Sequence, residues 1–119
     1  MDTKLLEDFR DMRIFKTELY SKLNESLVEA WKDEPLTIYT DDVVKLLVSY
    51  RDGVLSFENM LDWVNVIWFS EFYDYDDIQC DSIASIMNIL EELDEGYITL
   101  TNADIERYIA ALQSNQEIL

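Results

Sequence analysis

The stretch TDDVVKLLVSYRDGVLSFENMLDWVNVIWFS, residues 40–70, decides the fold. Thr40 offers a side-chain oxygen to the free amides of a new helix, and Asp41 and Asp42 fall in the first turn, where the helix dipole favours negative charge. Val43, Val44, Leu47, Val48 and Tyr50 give this helix an apolar side. Gly53 closes it, because glycine adopts the left-handed conformation without a steric penalty. Ser56 then caps a second helix over residues 57–70, with Met60, Leu61, Val64, Ile67 and Trp68 as its buried face; Trp63 lies off that stripe. The loop between the two helices is short, so they are expected to pack as a helical hairpin.

Working outward, Leu5, Leu6, Phe9, Met12, Phe15, Leu19, Leu23, Leu27 and Trp31 recur at three- and four-residue steps and predict one long N-terminal helix over residues 2–32. Asp33-Glu34-Pro35 ends it, since proline disfavours helical geometry in the preceding residue and lacks an amide donor. Residues 36–39 read as a short connection. On the other side, Glu71-Phe72-Tyr73-Asp74-Tyr75-Asp76-Asp77 alternates acid and aromatic; alternation suggests a strand, but the aspartates argue for a loop or the start of a helix. Ile83, Ile86, Met87, Leu90 and Leu93 predict a helix over residues 77–93, stopped by Gly96. An extended piece over 97–100 leads to Thr101 and Asp104, spaced as a capping box for a last helix, Asn102–Gln113, with Ile105, Tyr108, Ile109 and Leu112 on its apolar side. The expectation is an all-α, single-domain bundle of about five helices over residues 1–119, with one long N-terminal helix.

Composition agrees with that reading. Of 119 residues, 49% are apolar and 13% aromatic, enough for one core, and two glycines and one proline leave little for a turn-rich β-sandwich. No apolar run reaches the roughly 18 to 20 residues of a membrane span, and MDTKLLEDFR lacks a basic region followed by an apolar core, so a cytoplasmic protein with no membrane association is expected. The lone Cys80 fits a reducing compartment and has no partner for an internal disulfide.

The charge is unusual: 26 acids against 9 bases, no histidine, and a net charge of −17. Eight of the nine bases lie in residues 1–51 and the ninth is Arg107; between Asp52 and Glu106 there are 14 acids and neither lysine nor arginine. Direct nucleic-acid binding is disfavoured, because phosphates are repelled by such a surface. Solubility is one account of the acidity. A single-sign stretch also costs stability by self-repulsion, which favours a use in steering a cationic partner.

Catalytic chemistry finds few components. Without histidine there is neither a Ser-His nor a Cys-His pair nor an imidazole ligand, and no glycine-rich phosphate loop occurs. A carboxylate-pair hydrolase has no specific signal among 26 acids. Aligning Gly53 with the sixth position of an EF-hand loop puts Val48 first, Tyr50 third and Asn59 last, and aligning Gly96 puts Leu93 third and Asn102 last, so the calcium ligands are missing. Asp74, Asp76, Asp77 and Asp81 match no defined metal cage. The expectation is a binding protein rather than an enzyme, with no cofactor and no metal.

Interface chemistry is better represented. Tyrosine buries large area at small entropic cost where proteins meet, and neighbouring carboxylates suit arginine or lysine on a partner. The candidate partner-binding set is Glu71, Tyr73, Asp74, Tyr75, Asp76, Asp77 and Asp81, with Glu91, Glu92, Asp94 and Glu95 nearby. The competing reading, that Phe72 and Tyr73 cap the core while the aspartates solubilise a loop, stays open.

The stretch VKLLVSYRDGVLSFENMLDW, residues 44–63, resembles the helix, Tyr-x-x-Gly turn and capped-helix pattern of small helical bacterial immunity proteins, both the colicin D type and those of contact-dependent growth inhibition systems. The resemblance covers about a fifth of the chain. It implies a cytoplasmic monomer that binds one cognate basic toxin domain, commonly a nuclease, in a 1:1 complex and covers its active site or substrate groove. The family motif supplies no interface positions, so the candidate set rests on the acid-aromatic pattern. Two other classes use similar surfaces: a DNA mimic or anti-restriction protein, and an acidic adaptor or chaperone of a secreted protein, which would show a large exposed apolar groove.

Overall fold

The computed structural model describes residues 3–25, 35–69, 72–93 and 100–117. Within them the chain runs α1 (Thr3–Arg10), α2 (Lys16–Glu25), β1 (Leu36–Ile38), α3 (Thr40–Arg51), α4 (Phe57–Phe69), β2 (Tyr73–Tyr75), α5 (Cys80–Glu92) and α6 (Asn102–Gln113). The fold is mostly helical, with one small parallel sheet. The all-α expectation is therefore corrected: β1 and β2 pair in register Leu36 with Tyr73, Thr37 with Asp74 and Ile38 with Tyr75. Parallel strands need a long crossover, and here α3 and α4 provide it. Residues 36–38, expected as a connection, and 73–75, expected as a loop or helix start, are the two strands.

The long N-terminal helix is also corrected. It breaks between α1 and α2, where Met12 takes a left-handed φ of 64°. The Met12 amide donates to the Phe9 carbonyl and the Arg13 amide to the Asp8 carbonyl, at 3.0 and 2.8 Å. These two bonds make a Schellman stop, which satisfies carbonyls left free at the end of a helix. Phe15, expected on the buried stripe, is exposed just beyond the break. The part of the expected helix over residues 26–32 lies outside the described residues.

The same stop ends two other helices. At Gly53 (φ 77°) the glycine amide donates to Tyr50 and the Val54 amide to Ser49; at Asn115 (φ 53°) the asparagine amide donates to Leu112 and the Gln116 amide to Ala111. Glycine and asparagine are the residues that tolerate left-handed backbone best, so these two stops carry a local signal. Met12 carries none.

Helix starts are mixed. Ser56 Oγ accepts from the Asn59 amide at 3.1 Å, as expected for a cap. The capping box before α6 has both bonds: Thr101 Oγ1 accepts from the Asp104 amide, and the Asp104 carboxylate accepts from the Thr101 amide and is held below its ordinary value by it. Thr40, however, is the first residue of α3 rather than its cap. Tyr39 is the cap residue, and Asp42 accepts its amide at 2.9 Å. α5 begins at Cys80, three residues later than expected.

One apolar core draws on all six described helices and both strands. α4 is central to it, with Met60, Leu61, Trp63, Val64, Val66 and Ile67 all buried, and it packs on α2, α3, α5 and β2. Trp63, off the expected stripe, is 2% exposed and its indole Nε1 donates to the Arg10 carbonyl at 3.1 Å. The principal neighbour of α3 is α6 rather than α4, so the expected α3–α4 hairpin is a minor contact. Arg51 on α3 pairs with Glu106 on α6 across that interface.

Candidate functional site

The acid-aromatic segment becomes β2, a turn, and the first turn of α5. Strand alternation sends successive side chains to opposite faces, so Tyr73 and Tyr75 turn inward while Asp74 faces solvent. Tyr73 is 6% exposed, and its hydroxyl donates to the Leu6 carbonyl at 2.8 Å. Its ring lies 6.3 Å from that of Phe9, and burial raises its phenol well above the ordinary tyrosine range. Tyr73 thus belongs to the core, as the competing reading of the segment had it. Tyr75 is half-buried, its ring 6.4 Å from that of Trp68, and burial raises its phenol too.

Asp74, Asp76, Asp77 and Asp81 remain at the surface, Asp74, Asp77 and Asp81 exposed and Asp76 half-buried. Among the described residues none of the four is paired with a lysine or arginine. Among the described residues no three cysteine or acid side chains converge as metal ligands. Glu91 and Glu92 lie at the far end of α5, about 15 Å along the helix from Asp81 at 1.5 Å per residue. Glu92 shares the exposed side of α5 with Asp81 and Asn88, whereas Glu91 is half-buried. Glu71, Asp94 and Glu95 lie outside the described residues. The candidate set is thus separated into a group at the β2–α5 junction and Glu91 with Glu92 three turns away.

The junction is tightly held. The Asp76 amide donates to the Ile38 carbonyl at 3.0 Å, extending the sheet, and the Gln79 amide donates back to the Asp76 carbonyl at 3.1 Å to close a turn. The Gln79 side-chain oxygen accepts the Thr40 amide at 3.0 Å, tying the turn to the start of α3. From the other side, Asn115 Nδ2 donates to the Ile78 carbonyl at 3.1 Å. The buried Ser82 hydroxyl lies 2.9 Å from the Gln79 carbonyl and 2.8 Å from the Asn115 amide oxygen, and shares its single proton between them.

This turn presents residues that the sequence reading passed over. Ile78 at its tip is 82% exposed, and Tyr39, which follows β1, is 48% exposed. Asp41, on the first turn of α3, is exposed as well. Ile78 was silent because it continues an apolar period into the helix that follows; only the turn takes it out of that helix. Tyr39 and Asp41 were absorbed into the start of α3.

Cys80 sits at the same junction. Burial, then the Asp81, Asp77 and Asp76 carboxylates, push its thiol above the ordinary value. Such a thiol is the opposite of an activated nucleophile, which needs positive surroundings.

Among the described residues no helix is long and apolar enough to cross a membrane. Neither a protein-family model, nor a curated protein, nor a solved structure matches this chain.

Proposed function

We propose that this protein is an immunity-type inhibitor: a binding protein without a catalytic centre that neutralises one cognate basic toxin domain, a nuclease acting on RNA or tRNA, by covering its active site or substrate groove. The observation that carries this reading is the β2–α5 junction, where Asp74, Asp76, Asp77 and Asp81 stand unpaired with any described cation on a hydrogen-bonded frame. Carboxylates with no described cation beside them are available to a cationic surface, and they raise the rate of encounter with it. A nuclease surface is such a partner, because it is built to meet phosphate. The base-free run from Asp52 to Glu106 extends the same field beyond the junction.

The reading places the protein in the cytoplasm as a monomer that forms a 1:1 complex. It is tested by expressing the product of the gene immediately upstream with and without this chain. The expected result is a toxic domain whose effect this chain relieves, with complex formation that weakens steeply as salt rises. An upstream gene that encodes no toxin, or toxicity that persists in the presence of this chain, overturns the reading. Relief of a restriction enzyme instead would assign the acids to DNA mimicry.

A further inference from the structure

A single exposed aliphatic residue is ordinary on a protein surface. Ile78 differs in three respects. It is 82% exposed on a turn bonded to three separate elements: through the Asp76 amide to Ile38 on β1, through the Gln79 side chain to Thr40 on α3, and through the Ile78 carbonyl to Asn115 after α6. A turn whose backbone is already held loses little freedom on binding, which is the advantage of a preorganised anchor. It also does not stand alone: the Asp76–Ile38 and Thr40–Gln79 bonds run the chain at 38–40 alongside that at 76–79, bringing the half-exposed Tyr39 to the same end of the sheet. Finally, Asp77 precedes it and Asp81 follows it by three residues, both exposed, with Asp76 partly so, and the exposed Asp41 follows Thr40, whose amide is bonded to Gln79. Val54 is the instructive contrast: it is 81% exposed, but it follows Arg51 and Asp52, which pair with each other.

Interfaces with this organisation have an apolar centre that excludes water and a polar rim that selects the partner. From this geometry we infer that Ile78, flanked by Tyr39, is the central anchor of a protein-docking surface, and that its partner presents an apolar pocket rimmed by lysine and arginine. The acids alone would suit any polycation. The isoleucine adds a requirement that the acids do not make: a folded protein with an apolar pocket beside its basic surface. The inference rests on the reading above and names which side chain carries the affinity.

The probe is the purified, catalytically inactivated toxin domain encoded immediately upstream, titrated with wild-type protein and with Ile78→Ala, Ile78→Leu and Val54→Ala. Because Ile78 lies outside the core, Ile78→Ala is expected to unfold at the same denaturant concentration as wild type, which separates binding from folding. An anchor predicts that Ile78→Ala weakens binding by about 30-fold or more. That loss should be the same at low and high salt, with Ile78→Leu close to wild type and Val54→Ala unchanged. If wild type binds and Ile78→Ala binds within about twofold of it, the anchor is wrong and the inhibitor reading survives. If wild type does not bind the domain, both fall together.

Discussion

The Tyr73 hydroxyl donates to the Leu6 carbonyl at 2.8 Å, joining β2 to α1 across 67 positions of sequence. Tyr73→Phe removes this one neutral bond while the Leu6 carbonyl keeps its place in α1, so it is expected to destabilise the fold by about 1 kcal/mol in urea unfolding. Binding to the cognate domain should not change. A variant that unfolds like wild type but binds worse would return Tyr73 to the interface.

Asp42 makes stability depend on pH in a direction opposite to most carboxylates. Burial raises its carboxyl above 3.8, outweighing the Tyr39 amide and the Arg10 guanidinium 3.7 Å away. The folded chain therefore holds that proton more tightly than the unfolded chain, and the stability Asp42 contributes in acid is lost as pH rises from about 3.8 through the raised value. Asp11 behaves the other way, because the Arg10 hydrogen bond lowers it; its contribution is present above 3.8 and lost as pH falls. Asp42→Asn keeps an oxygen for the Tyr39 amide but removes the proton uptake. Measured by urea unfolding, it should gain on wild type between about pH 4 and pH 7. A constant difference across that range would sink the assignment.

At Gly53 the cost of a side chain is purely conformational. Its φ is +77°, yet nothing lies within 4 Å of the position a Cβ would occupy. Gly53→Ala is expected to destabilise by about 1 to 2 kcal/mol, the penalty of left-handed backbone for an L-residue. An unchanged urea midpoint would mean that the Schellman stop of α3 is not held as described.

Asn115 tests how the docking turn is held. Asn115→Gly keeps the left-handed backbone that ends α6 but loses the bonds to Ile78 and Ser82. Amide exchange at Gln79, whose N–H closes the turn, should accelerate while exchange within α6 stays near wild type. Affinity for the toxin domain should fall with it, since the anchor is then less preorganised. Unchanged exchange at Gln79 would show that the sheet and Thr40 suffice to hold the turn.

The junction aspartates are expected to act on encounter. Asp77→Asn with Asp81→Asn should slow association several-fold at low salt and leave dissociation nearly unchanged, because exposed rim charges steer more than they bind. Stopped-flow association at two salt concentrations distinguishes this from a contact role, which would raise the dissociation rate instead.

Helix positions were legible wherever a local device specifies them. Ser56, Gly53 and the Thr101–Asp104 box announce their helix ends because each acts within four residues of itself. The break at Met12 was not legible, since its backbone conformation is disfavoured locally and is stabilised by the Schellman bonds and by packing of Met12 on the core. The sheet was half legible: alternation over residues 71–77 suggested a strand against which the aspartates argued, whereas residues 36–38 are too few to display a period, and each strand depends on a partner 37 positions away.

The sequence by itself determined a helical chain with a large apolar fraction and an acidic run from Asp52 to Glu106 without lysine or arginine, because periodicity, capping and charge are properties of neighbouring residues. Tertiary structure decided which members of the acid-aromatic segment are available. Pairing with β1 turned Tyr73 into the core, and the bonds from Thr40 and Asn115 held Ile78 out in water among the aspartates. Both outcomes depend on contacts between residues distant along the chain, which no local pattern encodes.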